Sequence, residues 1–262
     1  KQYDIVAIFI DSKRYADDGL MVALGVTMDG HKIVLGIEQI HSENAKAIEQ
    51  WFDSLIERGL RFEEGILFII DGSKGIRRAI ERKFSIYALI QRCRWHKREN
   101  VIAYLDKPQQ AVFRRRLQDA YAKTTYKEAN AALTGLHHEL ETVNASAANS
   151  LLEGLEDTLT IHELGLSPEI ARSLSTANCI ESVMSQMGQY TDKVDHWHNS
   201  SQILRWTATG LMDIEPRLNK IIGFRYLSVL RIKLREIVRQ RLQKASKVKE
   251  PETIEVSMVE AN

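Results

Sequence analysis

Two short apolar runs, Ile5-Val-Ala-Ile-Phe-Ile10 and Ile66-Leu-Phe-Ile-Ile70, constrain this chain most, because each is followed at once by an aspartate, Asp11 and Asp71. Runs of five or six apolar residues without polar alternation read as strands covered on both faces, as in sheets with parallel neighbours. They are far too short to cross a bilayer. Leu20 to Thr27 and Lys32 to Glu38 read as two further strands, with a hairpin signal in Met28-Asp29-Gly30-His31 between them. A helix is predicted from Glu43 to Arg58, with Ala47, Ile48, Trp51, Phe52 and Leu55 on one stripe, Ser42 as N-cap and Gly59 as the C′ residue. A second helix, Lys74 to Lys83, leads to a fifth strand, Ile86 to Gln91. A crossover helix returns the chain in the same sense, so this order predicts a mixed sheet. If the first and fourth strands are neighbours, both aspartates emerge at adjacent carboxyl ends, about 5 Å apart.

From Arg98 to Ser175 the pattern is helical. Phe113, Leu117 and Tyr121 fall at i, i+4, i+8, and Leu133, Leu136 and Leu140 continue the spacing. Gly165 and Pro168 mark a loop near the end of this stretch. A helix beginning around Cys179 carries Ile180, Val183, Met184 and Met187 inward. The last third ends in a basic amphipathic helix from Tyr226 to Lys247, with fraying after Lys249. The expected fold class is α/β: a mixed five-stranded sheet, an all-helical insertion and a helical C-terminal extension. The divisions are 1–97 for the first part of the core, 98–175 for the insertion, 176–225 for core completion and 226–262 for the basic helix and tail. At 262 residues the chain is long enough for one large core carrying an insertion.

A formal net charge of +1 conceals strong polarity. Between Ser73 and Arg116 stand thirteen Lys or Arg against three acids, and between Arg217 and Lys249 eleven against one. Such blocks suit a polyanion, since neutralising phosphates releases counterions; solvated helix faces are the plainer reading. Glu128 to Ile170 holds eight acids and no Lys or Arg, and reads as a solvent-facing helical surface. Two cysteines, Cys93 and Cys179, make no disulfide framework, which points to a reducing cytoplasm. No signal-peptide pattern opens the chain. It runs straight from Lys1 into a strand, as if an upstream region preceded it.

An acid at the end of a buried strand is costly unless paired, hydrogen-bonded or metal-bound. Two on neighbouring strands would repel each other, and a shared divalent cation resolves that repulsion. Hard oxygen ligands favour Mg²⁺, with Mn²⁺ as substitute, and two such ions support phosphodiester chemistry. Glu181 is the candidate third carboxylate. Local readings compete. Asp71-Gly72 also fits a strand-to-helix turn with an acid near the helix N-terminus. Asn178-Cys-Ile-Glu181 has the spacing of a capping box. Nothing local calls for an acid at Asp11. Gly72-Ser73-Lys74-Gly75 lacks the spacing of a phosphate-binding P-loop.

Several stretches, taken in order, resemble the Mutator-type bacterial insertion-sequence transposases: Asp11 after its strand, Leu24-Gly25-Val26 to Leu35-Gly36, Trp51-Phe52-Asp53-Ser54-Leu55-Ile56-Glu57-Arg58-Gly59-Leu60, and Asp71-Gly72-Ser73-Lys74-Gly75-Ile76. So do Gln91-Arg92-Cys93-Arg94-Trp95-His96-Lys97-Arg98-Glu99-Asn100, Thr176-Ala177-Asn178-Cys179-Ile180-Glu181-Ser182, and Trp197 to Leu230 with Arg205-Trp206 and Gly223-Phe224-Arg225-Tyr226-Leu227. The resemblance implies a ribonuclease H-like sheet interrupted by a helical insertion, and Asp11, Asp71 and Glu181 as a metal-binding catalytic triad. It begins at the first core strand, without that family's N-terminal DNA-binding region. Cys93 and His96 match the family's Cys-x-x-His motif.

A structural zinc needs four ligands and this motif supplies two; His137, His138, His162, His196 and His198 lack matching spacing. His96 reads instead as a phosphate contact, a carboxylate-orienting group or a satisfied structural histidine, with Cys93 packed. Trp95 could stack on a base, but the plainer reading places it in the core. The activity implied is DNA cleavage at transposon ends followed by strand transfer. A nuclease that cuts without joining, and a non-catalytic nucleic-acid-binding module, are the alternatives. DNA is the expected partner, with Lys74, Arg77, Arg92, Lys97, Arg98, Arg205 and Arg225 as candidate contacts. A homodimer or higher assembly, no membrane, and a cytoplasmic, nucleoid-associated location complete the expectation.

Overall fold

Strand β1 (Ile5–Tyr15) lies at the centre of the sheet, hydrogen-bonded to β2 (Asp18–Thr27) on one side and to β4 (Ile66–Ile70) on the other. The structure is a computed structural model that describes residues 3–15, 18–40, 45–192, 194, 197 and 200–247. With β3 (Lys32–Ile40) and β5 (Ala88–Arg92) the strand order is β3-β2-β1-β4-β5. The pairs β1/β2 and β2/β3 are antiparallel, while β1/β4 and β4/β5 are parallel. This is the mixed sheet that the element order predicts. β1 does not stop at Asp11, however. It continues to Tyr15, with Asp11 opposite Val22, because β2 is long enough to pair with the extension.

Both faces of the sheet are covered, which explains the unalternated apolar runs. Ile8, Ile10, Phe68 and Ile70 face α1 (Ala45–Glu57) and α2 (Lys74–Phe84), where Trp51, Phe52 and Phe84 pack with them. Phe9, Leu67 and Ile69 face the other way, against α9 (Asn178–Thr191), α10 (Ser200–Ile214) and α11 (Leu227–Lys247). Side chains alternate along a strand. Position 11 therefore shares the face of Phe9, and position 71 that of Ile69. Both aspartates look toward the layer that contains α9.

The predicted elements lie within a few residues of their expected bounds. The hairpin turns at Asp29-Gly30, where Gly30 N–H donates to Thr27 O at 2.9 Å and Thr27 N–H to His31 O at 3.0 Å. At the end of α1, Leu60 N–H reaches Leu55 O and Gly59 N–H reaches Ile56 O, the paired bonds of a Schellman cap with Gly59 at C′. The proposed N-cap Ser42 lies outside the described residues, as does everything after Lys247. The fifth strand starts later than expected, because Ser85–Tyr87 forms a single 3₁₀ turn.

Between β5 and α9 the chain is helical throughout: α3 (Arg94–Ile102), α4 (Lys107–Tyr121), α5 (Tyr126–Val143), α6 (Ala145–Leu152), α7 (Leu155–Glu163) and α8 (Pro168–Leu174). α4, α5 and α6 close a separate core around Phe113, Leu117, Leu133, Leu136 and Leu140. From α7 onward the chain rejoins the sheet core through Ile161, Leu164 and Ile170.

The charged blocks are less solvated than the sequence reading expects. Part of the acidic block docks on α2: Glu153 meets Lys74 at 2.8 Å and Asp157 meets Arg77 at 2.7 Å. Within the second basic block, Arg231 is buried and donates to Gly65 O and Ile5 O. Arg241 donates to Ile86 O and Ala88 O. Lys233, Arg239 and Lys244 remain on the exposed face of α11.

Gly72 carries the turn from β4 to α2. Its φ is +114°, a conformation side chains rarely adopt, and a Cβ there would sit 2.7 Å from the guanidinium carbon of Arg92. Gly72→Ala combines backbone strain with displacement of a buried arginine. It should lower stability by about 1–3 kcal/mol, the usual size of such strain. Urea unfolding measures this, and an unchanged midpoint would contradict the packing described.

Candidate active site

The site forms where three segments meet beyond the carboxyl ends of β1 and β4. Ile10 and Ile70 are the last partners in the parallel ladder, so Asp11 and Asp71 follow side by side. Asp11 Oδ1 accepts the Ser12 N–H at 2.8 Å, and Asp71 Oδ1 accepts the Ser73 N–H at 2.9 Å. Ser73 in turn caps α2, its hydroxyl accepting the Ile76 N–H at 3.3 Å. The turn reading of Asp71 is thus realised, and it is compatible with a ligand role because one carboxylate oxygen suffices for the turn.

The third segment is held by Cys93. Its N–H donates to Ile70 O at 2.7 Å, and its sulfur accepts the Ala177 N–H at 3.2 Å. The next residue, Arg94, donates its N–H to Ser175 O at 3.0 Å. These bonds fasten the start of α9 to the β4–β5 edge of the sheet. α9 then presents Glu181 one turn in. The capping-box reading of Glu181 is not realised: the N-cap is Ala177, Asn178 is already the first helical residue, and no side-chain cap bond forms. Glu181 instead faces His96, with Oε1 3.7 Å from Nε2. Glu181 Oε1 and His96 Nδ1 are both buried without a hydrogen-bond partner.

Electrostatics tie the acids together. The Asp11 carboxyl is pushed up to about 6, chiefly by burial and in part by Asp71 and Glu181, against the Ser12 N–H and His96, which pull it down. His96 is held up, to about 9, first by the Cys93 sulfur beside it, against the effect of burial, and then by Cys93, Glu181 and Asp71 charge. Asp71 and Glu181 contribute to both shifts, after burial at Asp11 and after the Cys93 sulfur at His96, so these acids and His96 share one electrostatic neighbourhood. Asp11, Asp71 and Glu181 are hard oxygen donors that would suit a divalent cation, and the Glu181 oxygen that faces His96 accepts no hydrogen bond that would compete with it.

Cys93, His96 and Glu181 bring their ligand atoms within 4.8 Å of one another, a closer mutual spacing than Asp11, Asp71 and Glu181 achieve. No fourth His, Cys, Asp or Glu joins them among the described residues, so the four-ligand zinc site does not form there. His162 Nδ1 accepts from the Arg94 guanidinium at 2.8 Å, and on α5 His137 is half-buried while His138 and Glu141 beside it are exposed. His196 and His198 lie outside the described residues.

The candidate DNA contacts divide sharply. Arg92 is buried against Gly72 and donates to Glu153 O at 2.8 Å, fastening the helical region to the Asp71 turn. Lys97 is fully buried and donates to Ser150 O and Glu153 O. Neither is a surface contact, which corrects the expectation; both are internal struts, and no local pattern reveals that. Arg98 pairs with Glu99 at 2.8 Å, and Arg77 with Asp157. Lys74 is exposed but meets Glu153, while Arg205 and Arg225 are exposed on α10 and on the turn before α11. Trp95, read as either a base-stacking or a core residue, is 43% exposed and therefore not in the core.

Residues 5–219 match the family described as Transposase, Mutator family. The transposase of insertion sequence element IS905 from Lactococcus lactis subsp. lactis (strain IL1403) is 27% identical over 188 residues, 72% of this chain and 46% of its own length. The transposase of IS256 in transposon Tn4001 from Staphylococcus aureus is 26% identical over 206 residues, 78% of this chain and 51% of its own. The chain spans about half the length of the curated relatives it matches. Among the described residues no helix is long and apolar enough to cross a membrane.

Burial pushes the Lys97 ammonium down to about 7, against an ordinary value of 10.5, with Arg92 adding to the effect and Glu153 opposing it. Between those limits the unfolded chain binds the extra proton, so this residue makes stability rise with pH. His96, raised from 6.5 to about 9, works in the opposite sense between those two values. The difference between wild type and Lys97→Met isolates the lysine, because His96 is common to both. That difference should grow in favour of wild type from pH 7 to 10, by up to about 1 kcal/mol per pH unit. Parallel stability curves would show Lys97 to be solvated.

Proposed function

The chain belongs to the Mutator family of transposases, and on that premise we propose that it is the catalytic core of a DNA transposase with a ribonuclease H-like fold. What supports this reading is the pairing of β1 with β4 up to Ile10 and Ile70, which sets Asp11 and Asp71 at adjacent strand ends, together with the effect of Asp71 and Glu181 on the Asp11 carboxyl and a buried Glu181 oxygen that accepts no hydrogen bond. The reaction proposed is hydrolysis of one phosphodiester at a transposon end, which leaves a 3′-hydroxyl, followed by attack of that hydroxyl on a second strand.

Each residue has a part set by its position. Asp11 and Asp71 come from adjacent strands in one rigid sheet, so their spacing is fixed by backbone pairing. Glu181 comes from a helix bonded to that sheet through Cys93, and His96 orients it. Mg²⁺ or Mn²⁺, held by these three carboxylates, would supply a water of lowered pKa and charge stabilisation at the leaving oxygen. Arg205, Arg225 and the outward cations of α11 would hold the DNA backbone, by contacts that position rather than read sequence. A dimer or larger assembly fits a reaction that joins two DNA ends to a target.

Asp11→Asn keeps the size of the side chain and removes its charge. Cleavage should fall by more than about 10³-fold, equivalent to several kcal/mol of barrier, with DNA binding retained. Nicking and strand-transfer assays in Mg²⁺ measure this, the latter with a pre-cleaved end. Undiminished strand transfer by the variant would refute the assignment, and cleavage without transfer by wild type would mark a nuclease that does not join.

A further inference from the structure

The face of α3 that carries Trp95 opens into a cleft of about 600 Å³ bounded by α4, α7 and α8. That volume is in the range of sites that hold a small organic ligand. Its lining includes Arg94, Arg98, Lys123 and Arg172, and no Asp or Glu. Arg94 forms part of the floor, donating to Thr158 O at 3.0 Å and meeting His162 Nδ1 at 2.8 Å. Lys123 and Arg172 stand exposed at the rim. The excess of cations is local, since the whole chain carries a net charge of only +1.

Trp95 connects this cleft to the acids. Its indole meets the His96 ring edge-on, with centroids 4.9 Å apart and planes at 77°, and His96 lies 3.7 Å from Glu181. Ser175 and Thr176, shortly before the helix that carries Glu181, also line the cleft. An indole left uncovered, with Lys123 and Arg172 exposed nearby and no acid among the lining residues, suits single-stranded nucleic acid: the aromatic face takes a base and the cations take its phosphate.

We propose that this cleft receives one nucleotide unstacked from the DNA strand that lies across the acids, its base on Trp95 and its phosphate between Lys123 and Arg172. The inference rests on the reading of the site as a DNA-processing centre, and adds a subsite for an unpaired nucleotide beside it. Extrusion is least costly next to a break or an unpaired end. The subsite would therefore hold the strand most firmly after the first cut.

The test compares two DNA probes on the full chain: a blunt duplex, and the same duplex with a short unpaired overhang carrying 2-aminopurine at the junction. Wild type should bind the overhang probe more tightly and quench the 2-aminopurine. Trp95→Ala should lose roughly 5- to 150-fold in affinity for the overhang probe, the range that base–aromatic stacking supplies, with Trp95→Phe in between and blunt duplex unaffected. Arg172→Ala, at an exposed position, should weaken the overhang probe alone and controls for damage to the fold. Equal binding of the overhang probe by wild type and Trp95→Ala, or an equal loss on both probes, overturns the inference. The two readings fail separately. Cleavage without overhang preference removes the subsite and leaves the transposase, whereas overhang preference without Asp11-dependent cleavage removes the catalytic reading and leaves the subsite.

Discussion

Parallel pairing of β1 with β4, in register up to Ile10 and Ile70, sets the terms for the rest of the molecule. It places two carboxylates side by side at the edge of a core sealed on both faces, where water offers limited screening. Burial, with Asp71 and Glu181 adding to it and the Ser12 N–H and His96 opposing it, leaves the Asp11 carboxyl at about 6. A sheet built this way gains from apolar burial along the strands and is destabilised at their carboxyl ends. The destabilised end is where a bound cation would contribute to folding as well as to chemistry.

The helical region between β5 and α9 belongs to the same construction. Arg92 reaches from β5 across Gly72 to Glu153, and Lys97 reaches from α3 to Ser150 and Glu153. Lys74 and Arg77 of α2 meet Glu153 and Asp157 on the far side of the junction. A cluster of cations around the β4–α2 turn is thus matched by acids that the chain supplies some 60 to 80 residues later. Cys93 completes the arrangement by bonding the strand edge to the start of α9. The position of Glu181 therefore depends on contacts that lie far from it in sequence.

The sheet was legible because its strands are written in local pattern: two unbroken apolar runs, a hairpin signal and crossover helices. The two aspartates followed directly from the ends of those runs. Glu181 was a candidate from its place on a packed helix and from the resemblance, but its local spacing equally fits a capping box, and only the fold decides that Asn178 is inside the helix. Arg92 and Lys97 were misread as surface cations because burial of a long charged side chain depends on carbonyls from a distant helix. Trp95 escaped assignment for a related reason. An indole beside Arg and His looks the same in sequence whether it fills a core or walls a cleft. The acidic stretch also looked solvated, although two of its members dock on α2.

The account turns on whether Asp11, Asp71 and Glu181 grip divalent cations together. Anomalous diffraction from crystals soaked in Mn²⁺ measures this directly. Manganese bound by Asp11 and Asp71, with a Glu181 oxygen in the same cluster, is the predicted result. Manganese held elsewhere, or a peak confined to Cys93, His96 and Glu181 with the two aspartates uninvolved, would contradict it.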